Sequence, residues 1–385
     1  MTSSPPARHA PGVAPWRDIR VIRVAAQVLV IGLVGLLVAY LLRNLLSAMD
    51  QRGLGFGFGF LDSTAGFAIS ESPIPYSATD TYGQAFLVGL LNTLFVSVVG
   101  IVLATLLGLV IGVSRLSRNF LVNRVAAGYV EVMRNTPLLV QLFFLYAFLL
   151  QLPGVADSVA LPGGIFLNQR GLSLPAPVLS ATFGPWMAFV AAGVALAIAA
   201  RVLLPVGRRR IGLLAIVLVP LAGWLVVGEA PIGVDVPVLQ RFNFTGGMSL
   251  SSGFTALLVG LVLYTAAFIG EVVRGGILAV RRGQVEAARA LGLSEAHILR
   301  LIVFPQALRV IVPPLTSQYL NLAKNSSLAI AIGYPDLFSV SQTMANQTGQ
   351  PISVIALVMG TYLSISLVTS LLMNVYNRRV QVLER

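Results

Sequence analysis

The sequence predicts an all-α integral membrane protein with about eight transmembrane helices. Of its 385 residues, 56% are hydrophobic and only 10% are charged, whereas soluble domains carry about 25% charged residues. Eight apolar runs are long enough, or nearly so, to cross the ~30 Å hydrocarbon core of a bilayer. The arginines gather in alternate connections between these runs, a distribution typical of membrane proteins. A single large soluble core is disfavoured by this composition.

The apolar runs extend along the whole chain. The first follows a polar segment that carries four arginines, and it is too long for the apolar region of a signal peptide, so we predict an uncleaved helix. The third and fifth runs are short, and their limits are the least well defined. The runs lie near residues 24–42, 86–113, 137–152, 186–205, 213–228, 254–273, 310–333 and 351–376.

The distribution of basic residues predicts that both termini lie in the cytoplasm. With the N-terminus inside, the inner segments hold 21 of the 26 basic residues, and the outer segments hold four. Lys324, the only lysine, falls within an apolar run. This asymmetry explains the net charge of +12 without a nucleic-acid partner. The inner segments are 1–23, 114–136, 201–212, 274–309 and 377–385.

Composition also restricts the chemistry that the chain can perform. There is no cysteine, which excludes disulfides, thiol catalysis and cysteine-based metal sites. The two histidines, His9 and His297, are far apart in the sequence. No Walker A pattern occurs, so we expect no ATP binding of the usual kind. The sequence indicates neither a catalytic residue nor a cofactor or metal site.

The inner segment 274–309 is charged, yet it carries signals of two short helices. Residues 284–291 are mostly good helix formers, and Gly292 follows at a position where a left-handed residue can end a helix. Ser294 is suited to cap a second helix, in which Pro305 marks a bend. Because a two-turn helix is unstable alone, it must pack on this chain or on a partner. The second helix is predicted to carry an apolar stripe of Ile298, Leu301, Ile302 and Pro305.

The residues of this loop resemble the signature of ABC importer permeases, which here reads Glu286-Ala287-Ala288, Gly292 and Phe304-Pro305. Three further stretches resemble the polar amino-acid branch of that family, the histidine, glutamate, glutamine, arginine and opine permeases. They are GLLNTLFVSVVGIVLATLLGLVIG (89–112), VEVMRNTPLLVQLFFLY (130–146) and AKNSSLAIAIGYPDLF (323–338). The stretch GFGFLDSTAGFAISES (57–72) resembles the general L-amino-acid subgroup.

This resemblance implies a type I ABC importer permease core with an extra N-terminal helix and a two-helix insert. Because the insert has an even number of helices, the topology on either side of it is preserved. We interpret the insert as a structural or lipid-facing addition outside the transport path. The expected divisions are a cytoplasmic N-terminal segment (1–23), an extra helix and periplasmic loop (24–85), the first part of the core (86–150), the insert (151–250) and the second part of the core (251–385) with its coupling loop (274–309).

The resemblance implies the permease subunit of an ATP-driven amino-acid importer in the bacterial inner membrane, a transport subunit rather than an enzyme. ATP hydrolysis would take place on a separate cytoplasmic ATPase dimer, to which the helix at 284–291 would dock. A periplasmic amino-acid-binding protein, a second homologous permease forming a heterodimer and membrane lipid are the other expected partners. The residues implied in coupling are Glu286, Ala287, Ala288, Arg289, Gly292 and Pro305.

Polar residues within apolar runs are candidates for the translocation path, because they are costly in a membrane and are often functional. Lys324 is the most notable, and it could line the path, snorkel towards the interface or pair with Glu271. Gly108 and Gly112 form a small-xxx-small pair that is typical of helix packing. The path candidates are Asn92, Thr93, Gln141, Glu271, Gln318, Asn321, Lys324 and Asn325.

Two other functions remain open at this stage. A passive channel or an assembly scaffold would need no ATPase, and co-purification with an ATPase separates it from an importer. An ABC permease for another small polar solute would share the fold and the partners. Uptake of a panel of labelled amino acids separates that possibility from an amino-acid importer.

Overall fold

A computed structural model describes residues 19–51, 56–203, 205, 209–241 and 243–380. Helices make up most of this part of the chain, as predicted. They are α1 (Ile19–Gln51), α2 (Tyr82–Ser114), α3 (Phe120–Asn135), α4 (Leu138–Leu150), α5 (Phe183–Leu203), α6 (Arg209–Val227), α7 (Ser252–Leu278), α8 (Arg282–Ala290), α9 (Glu295–Ile298), α10 (Phe304–Asn325), α11 (Leu337–Thr348) and α12 (Pro351–Val380).

Six helical segments of the described chain are long and apolar enough to cross a membrane. Helices α3 and α4 form a seventh span if they are counted together, although they are bent by 106°. Helix α6 is apolar over Gly212–Val227 but shorter than the others, which accounts for the difference from the predicted eight. The prediction of a helical protein with multiple membrane spans is confirmed.

No strands were predicted from the sequence, but the described residues between 159 and 251 form eight short ones. Strands β1, β2, β3 and β8 form an antiparallel sheet, and β4–β5 and β6–β7 form two-stranded ribbons. Each strand has only three or four residues, too few for a clear alternation of apolar and polar side chains. They are β1 (Val159–Leu161), β2 (Ile165–Asn168), β3 (Gly171–Leu174), β4 (Ala176–Leu179), β5 (Ile232–Asp235), β6 (Val238–Gln240), β7 (Asn243–Thr245) and β8 (Met248–Ser251).

Helices α5 and α6 form a hairpin in which each packs mainly on the other. Gly223 of α6 lies against the ring of Phe189, and the Trp186 indole N–H donates to the Pro220 carbonyl oxygen at 3.0 Å. The β4–β5 ribbon continues this hairpin, because β4 precedes α5 and β5 follows α6. The hairpin is therefore an outlying unit that is joined to the core through the small sheets.

The core is built on the close approach of α2 and α7. A Cβ atom added at Gly108 would lie 2.6 Å from the Cβ of Ile269, and one added at Gly112 would lie 2.7 Å from the Cβ of Val273. Only glycine allows the two backbones to approach this closely. The predicted packing role of this glycine pair agrees with these contacts, and α2 and α7 form the central pair on which the other core helices pack.

Helices α4 and α10 pack on other faces of α7. Leu142 of α4 is fully buried against Gly260, and Ile311 of α10 lies against Gly276. At the opposite end from α8, a second apolar cluster joins Phe60 and Tyr82 to Met344 of α11. We call the end that carries α8 the loop side and the opposite end the outer side.

Candidate coupling loop and polar residues of the core

The first helix of the loop ends as the sequence predicts. Helix α8 spans Arg282–Ala290, and Gly292 has a left-handed backbone with φ of +78°. The Gly292 N–H donates to the Arg289 carbonyl at 2.9 Å, and the Leu293 N–H donates to the Ala288 carbonyl at 3.2 Å. This pair of bonds is a Schellman motif, which satisfies carbonyl groups that a helix end otherwise leaves free. A residue with a side chain would be strained at position 292.

The second helix begins after Ser294, which occupies the predicted N-cap position. Its hydroxyl does not cap a backbone N–H, however, and lies instead 2.8 Å from Nδ1 of His297. After the single turn of α9, the chain passes through a π-helical turn (Leu299–Val303) into α10. The segment Glu295–Ile332 thus runs as one long helical segment.

The predicted apolar stripe of this segment is wrong in part, because the π-helical turn adds a residue to one turn. Ile298 is buried and Ile302 is half-buried, but Leu301 and Pro305 are exposed. The buried positions after Ile298 are instead Val303, Ala307 and Ile311. Pro305 follows the π-helical turn at the start of α10 and lacks the N–H that another residue could donate to that turn. The bend that the sequence predicts at Pro305 therefore corresponds to the π-helical turn immediately before it.

One face of helix α8 packs on its own chain, and the opposite face is exposed. Ala288 is buried in a small cluster with Ile298 and Val303, and half-buried Val285 packs against the same cluster. On the other side, Glu286 and Ala287 are exposed, and beyond the helix end Leu291 is 82% exposed. Arg289 forms an exposed ion pair with Glu295 at 2.6 Å, which ties α8 to α9.

The cluster beneath α8 also reaches the ends of the two helices that flank the loop. Ile277 and Val280, at the end of α7, pack against it, and Val303 leads directly into α10. Packed apolar side chains therefore join α8 to the end of α7 and to the segment that leads into α10. Of the six predicted coupling residues, only Ala288 faces inward, and Glu286, Ala287, Arg289, Gly292 and Pro305 are exposed.

The side chains of three predicted path residues form hydrogen bonds with the backbone of this chain. Asn92 is buried, and its side chain donates to the carbonyl oxygens of Glu71 and Pro335, both at 2.9 Å. The neighbouring Thr93 hydroxyl accepts the Leu337 N–H at 2.9 Å. Gln141 donates to the carbonyls of Met133 and Thr136 at the bend between α3 and α4. These contacts hold connections between helices in place.

Glu271 forms ion pairs with two arginines. Its carboxylate lies 3.0 Å from Arg115, just after α2, and 2.9 Å from Arg274, one turn further along α7. The side chains are 18–33% exposed, so the pairs are partly shielded from water. The pairing of Glu271 with Lys324 considered from the sequence is wrong, because arginines occupy the carboxylate.

The remaining path candidates lie on the last three turns of α10. Asn321 and Lys324 are exposed, together with Ser317, at spacings that place all three on one face. Gln318 and Asn325 are half-buried at the edge of this face. Within the described part of the chain, the Lys324 ammonium makes no ion pair with an acidic side chain.

A buried carboxylate on the outer side was not predicted from the sequence. Asp336 is fully buried before α11, and its Oδ1 accepts the Ser339 N–H at 2.8 Å. Its Oδ2 lies 3.5 Å from the Tyr362 hydroxyl. Burial raises the pKa of Asp336 from 3.8 to about 6, against the effect of these hydrogen bonds. The N-cap spacing of Asp336 and Ser339 before an apolar run was the available signal.

The described residues contain no group of three or more histidine, cysteine, aspartate or glutamate side chains placed to hold a metal ion.

Comparison with known proteins identifies the family. The family described as binding-protein-dependent transport system inner membrane component matches residues 100–382. The chain is 46% identical to Escherichia coli YhdX, named as an amino-acid ABC transporter permease, over 97% of this chain and 96% of that protein. It is 44% identical to AapQ of Rhizobium johnstonii, a general L-amino acid transport system permease, over 93% and 92% of the two chains.

Among solved structures, the chain is similar to that of an amino acid ABC transporter with histidines, at 22% identity and a TM-score of 0.48. The match covers 77% of this chain and 95% of the other. The family match over most of the chain and the two long, high-identity matches agree with the membrane-spanning architecture described above. The chain belongs to the binding-protein-dependent transport system inner membrane component family and has the fold of a type I ABC importer permease.

Proposed function

We propose that this chain is the permease subunit of an ATP-driven importer of amino acids. The observation that carries the proposal is α8, which is anchored to the ends of α7 and α10 on one face and exposed on the other. A membrane core with such a helix is suited to receive movement from a soluble partner. The chain's membership in the family and the names of its relatives, which refer to amino-acid transport, support this function.

A separate cytoplasmic ATPase dimer would dock on the exposed face of α8. Glu286 and Ala287 would contact the ATPase directly, whereas Ala288 would hold α8 on its own chain. Arg289 and Gly292 would keep the two short helices at a fixed angle, through the ion pair with Glu295 and the left-handed turn. Pro305 would start the helix that carries the movement into the membrane.

The exposed polar face of α10 is our candidate for the translocation path. Ser317, Asn321 and Lys324 lie within a segment that is long and apolar enough to span a membrane, and a lysine facing lipid is costly there. A second, homologous permease would cover this face and enclose a hydrated path, with Gln318 and Asn325 at its edge. Asn92, Gln141 and Glu271, which are engaged within the chain, would support the walls of the path.

The other parts of the assembly follow from this arrangement. The importer would lie in the bacterial inner membrane with both termini in the cytoplasm and the loop side facing inward. A periplasmic binding protein would deliver the amino acid to the outer side, and the second permease would be a related chain that forms a heterodimer. The insert at 151–250 would lie outside the path, in contact with lipid, because its helices pack mainly on each other.

Reconstitution tests this proposal. The chain is co-expressed with an ATPase and a second permease, purified and placed in liposomes with a binding protein, and ATP-dependent uptake of labelled L-amino acids is measured. Glu286→Lys and Gly292→Asp should each reduce both ATPase co-purification and uptake about tenfold or more, because they disrupt the docking face and the left-handed turn. Glu229→Lys, the same charge change at an exposed position of the insert, is the matched control.

Three outcomes would contradict the proposal. Uptake that is independent of ATP would indicate a passive channel, and full uptake by both loop variants would exclude α8 as the coupling element. ATP-dependent uptake of another small polar solute, with none of any amino acid, would keep the transporter class and overturn the substrate.

A further inference from the structure

A polar cavity lies on the loop side of the core, where α3 crosses α2 and α7. Its volume is about 430 Å³, which lies within the usual range for small-molecule sites. Both acidic and basic side chains line its wall. Its charged and polar lining comes from Arg115, Glu131, Arg134, Asn135 and Glu271, with the ring of Phe268 beside them.

On one side of this cavity the charged groups are already paired with each other. Arg115 and Glu271 face it but are paired with each other at 3.0 Å, and Arg274 holds the second oxygen of Glu271. These groups therefore form a wall between α2 and α7 in which both arginines are held by Glu271 and one positive charge is in excess. They leave little capacity to bind a ligand of their own.

The other side of the cavity presents Glu131, Arg134 and Asn135, which are exposed at its open rim and lack such partners. In the part of the chain that the structure describes, the Glu131 carboxylate and the Asn135 amide make no hydrogen bond or ion pair. The Arg134 guanidinium lies 5.2 Å from the centre of the Phe268 ring and pairs with no carboxylate. Glu131 and Arg134 do not bond each other, although residues at this spacing on a helix are near neighbours.

The spacing of this carboxylate and this guanidinium is suited to one class of ligand. Cβ atoms three residues apart on a helix are about 5–6 Å from each other. A free α-amino acid carries an ammonium and a carboxylate on one carbon atom, so it can bridge an acidic and a basic side chain at that separation. Charge-assisted bonds of this kind are among the stronger hydrogen bonds in proteins.

We propose that this cavity binds the main-chain ammonium and carboxylate of a free α-amino acid, with Glu131 receiving the ammonium and Arg134 and Asn135 receiving the carboxylate. The cavity is at the same end of α7 as α8, so the ligand enters from the loop side. This assignment rests on the proposed function, under which the loop side is where the imported amino acid is released. The site would let the permease bind the product that it delivers.

Equilibrium binding to the purified complex of permeases and ATPase tests the site, with labelled L-glutamine as the probe. Two competitors test the chemistry, because N-acetyl-L-glutamine lacks the ammonium and L-glutamine amide lacks the carboxylate. The unmodified amino acid should compete, and each derivative should compete at least about tenfold more weakly. Equal competition by either derivative would overturn the proposed recognition.

Substitutions locate the binding component. Glu131→Gln and Arg134→Gln should each weaken L-glutamine binding about tenfold, whereas Arg124→Gln should not. Arg124 lies on the same helix but over the ring of Phe120 rather than in the cavity wall. Gel filtration and ATP hydrolysis of each complex check folding, and unchanged binding in both cavity variants overturns the inference.

A second set of measurements separates this inference from the proposed function. Lys324→Gln alters the candidate path, so it should leave the Glu131-sensitive binding of L-glutamine in place. Loss of that binding in the Lys324→Gln variant would overturn the assignment to this cavity. If the complex takes up amino acids but Glu131→Gln leaves its L-glutamine binding unchanged, the cavity site is refuted and the proposed function is not. If L-glutamine binding is weakened by Glu131→Gln in a complex that transports no amino acid, the site is supported and the proposed function is refuted.

Discussion

At the residue scale, two carboxylates within the core of this membrane protein are held by specific neighbours. Glu271 is bound by Arg115 and Arg274 on the loop side, and Asp336 is bound by the Ser339 N–H on the outer side. The two sites differ in that Glu271 has cationic partners, whereas Asp336 is buried without one. An isolated buried carboxylate favours its protonated form, and this gives Asp336 a measurable signature.

We expect Asp336 to make stability depend on pH between about 4 and 6. Burial raises its pKa to about 6 in the folded chain from 3.8, so the folded form binds a proton more tightly than the unfolded chain. The resulting stabilisation is fully present below pH ~4 and is lost as pH rises through about 6. Its upper bound is ~3 kcal/mol. Asp336→Asn should remove this part of the pH dependence.

Thermal unfolding of the detergent-solubilised protein from pH 4 to pH 7 provides the measurement. Glu71 faces the same region and also has a pKa raised by burial, and the hydroxyls of Tyr334 and Tyr362 face it as well. The informative quantity is therefore the difference between the variant and the parent chain. Asp62→Asn, at an exposed aspartate of the outer side, serves as the control, and parallel curves for the parent and Asp336→Asn would refute the prediction.

At the element scale, the α2–α7 pair determines how tightly the core is packed. Gly108 and Gly112 have no side chains at the positions where Ile269 and Val273 of α7 approach α2. The glycine spacing and the apolar runs were both readable in the sequence, because each depends on local composition. This is why the central helices were predicted correctly.

We expect Gly108→Ala to destabilise the protein by about 1–3 kcal/mol, the usual cost of overpacking a core. The new methyl group would lie 2.6 Å from the Cβ of Ile269, too close for a real contact, so one helix must shift. Gly128→Ala makes the same change on α3, where nothing lies within 4 Å, and it should leave stability unchanged or slightly higher.

Thermal unfolding in detergent compares the two variants. Combining Gly108→Ala with Ile269→Ala removes the Cγ2 methyl group that would lie 2.6 Å from the new atom, so the double variant should lose less stability than the sum of the two single changes. Equal stability of the Gly108→Ala and Gly128→Ala proteins would show that the α2–α7 contact is looser than the structure indicates.

Elements whose position depends on distant contacts were not predictable from the sequence. The π-helical turn shifts the buried face of the segment leading into α10 from Leu301 to Val303, and periodicity alone cannot reveal an inserted residue. Two strand pairs of this region, β3–β8 and β4–β5, join stretches that are distant in the sequence, such as Gly171 with Ser251. Helix α3 was assigned to an inner loop because its single buried face is short and its charges are frequent.

At the scale of the whole molecule, one continuous helical segment joins the candidate coupling loop to the candidate path. Glu295–Ile332 begins beside α8 and ends beyond Lys324. The loop's helix boundaries were predictable because glycine and serine mark them locally. The orientation of the α10 face was not, because the side that is left open depends on how α7 and α12 pack against α10.

The open face of α10 should be in contact with water in the assembled transporter if it lines a path. The chain has no cysteine, so single cysteines can be introduced without a competing thiol. Asn321→Cys should react with a membrane-impermeant maleimide in the reconstituted complex, because a hydrated path admits the charged reagent. Leu367→Cys, on an exposed apolar position of α12, should react only with a lipid-soluble maleimide, because bilayer lipid covers it.

Labelling of both variants in the presence and absence of the transported amino acid completes this experiment. The substrate should slow labelling at position 321 and leave position 367 unaffected, since only the former would share its space with the solute. If position 321 reacted like position 367, the polar face would point into lipid or protein and the path would lie elsewhere. Because this readout follows solvent access rather than transport rate, it remains informative for variants whose ATPase coupling is weakened.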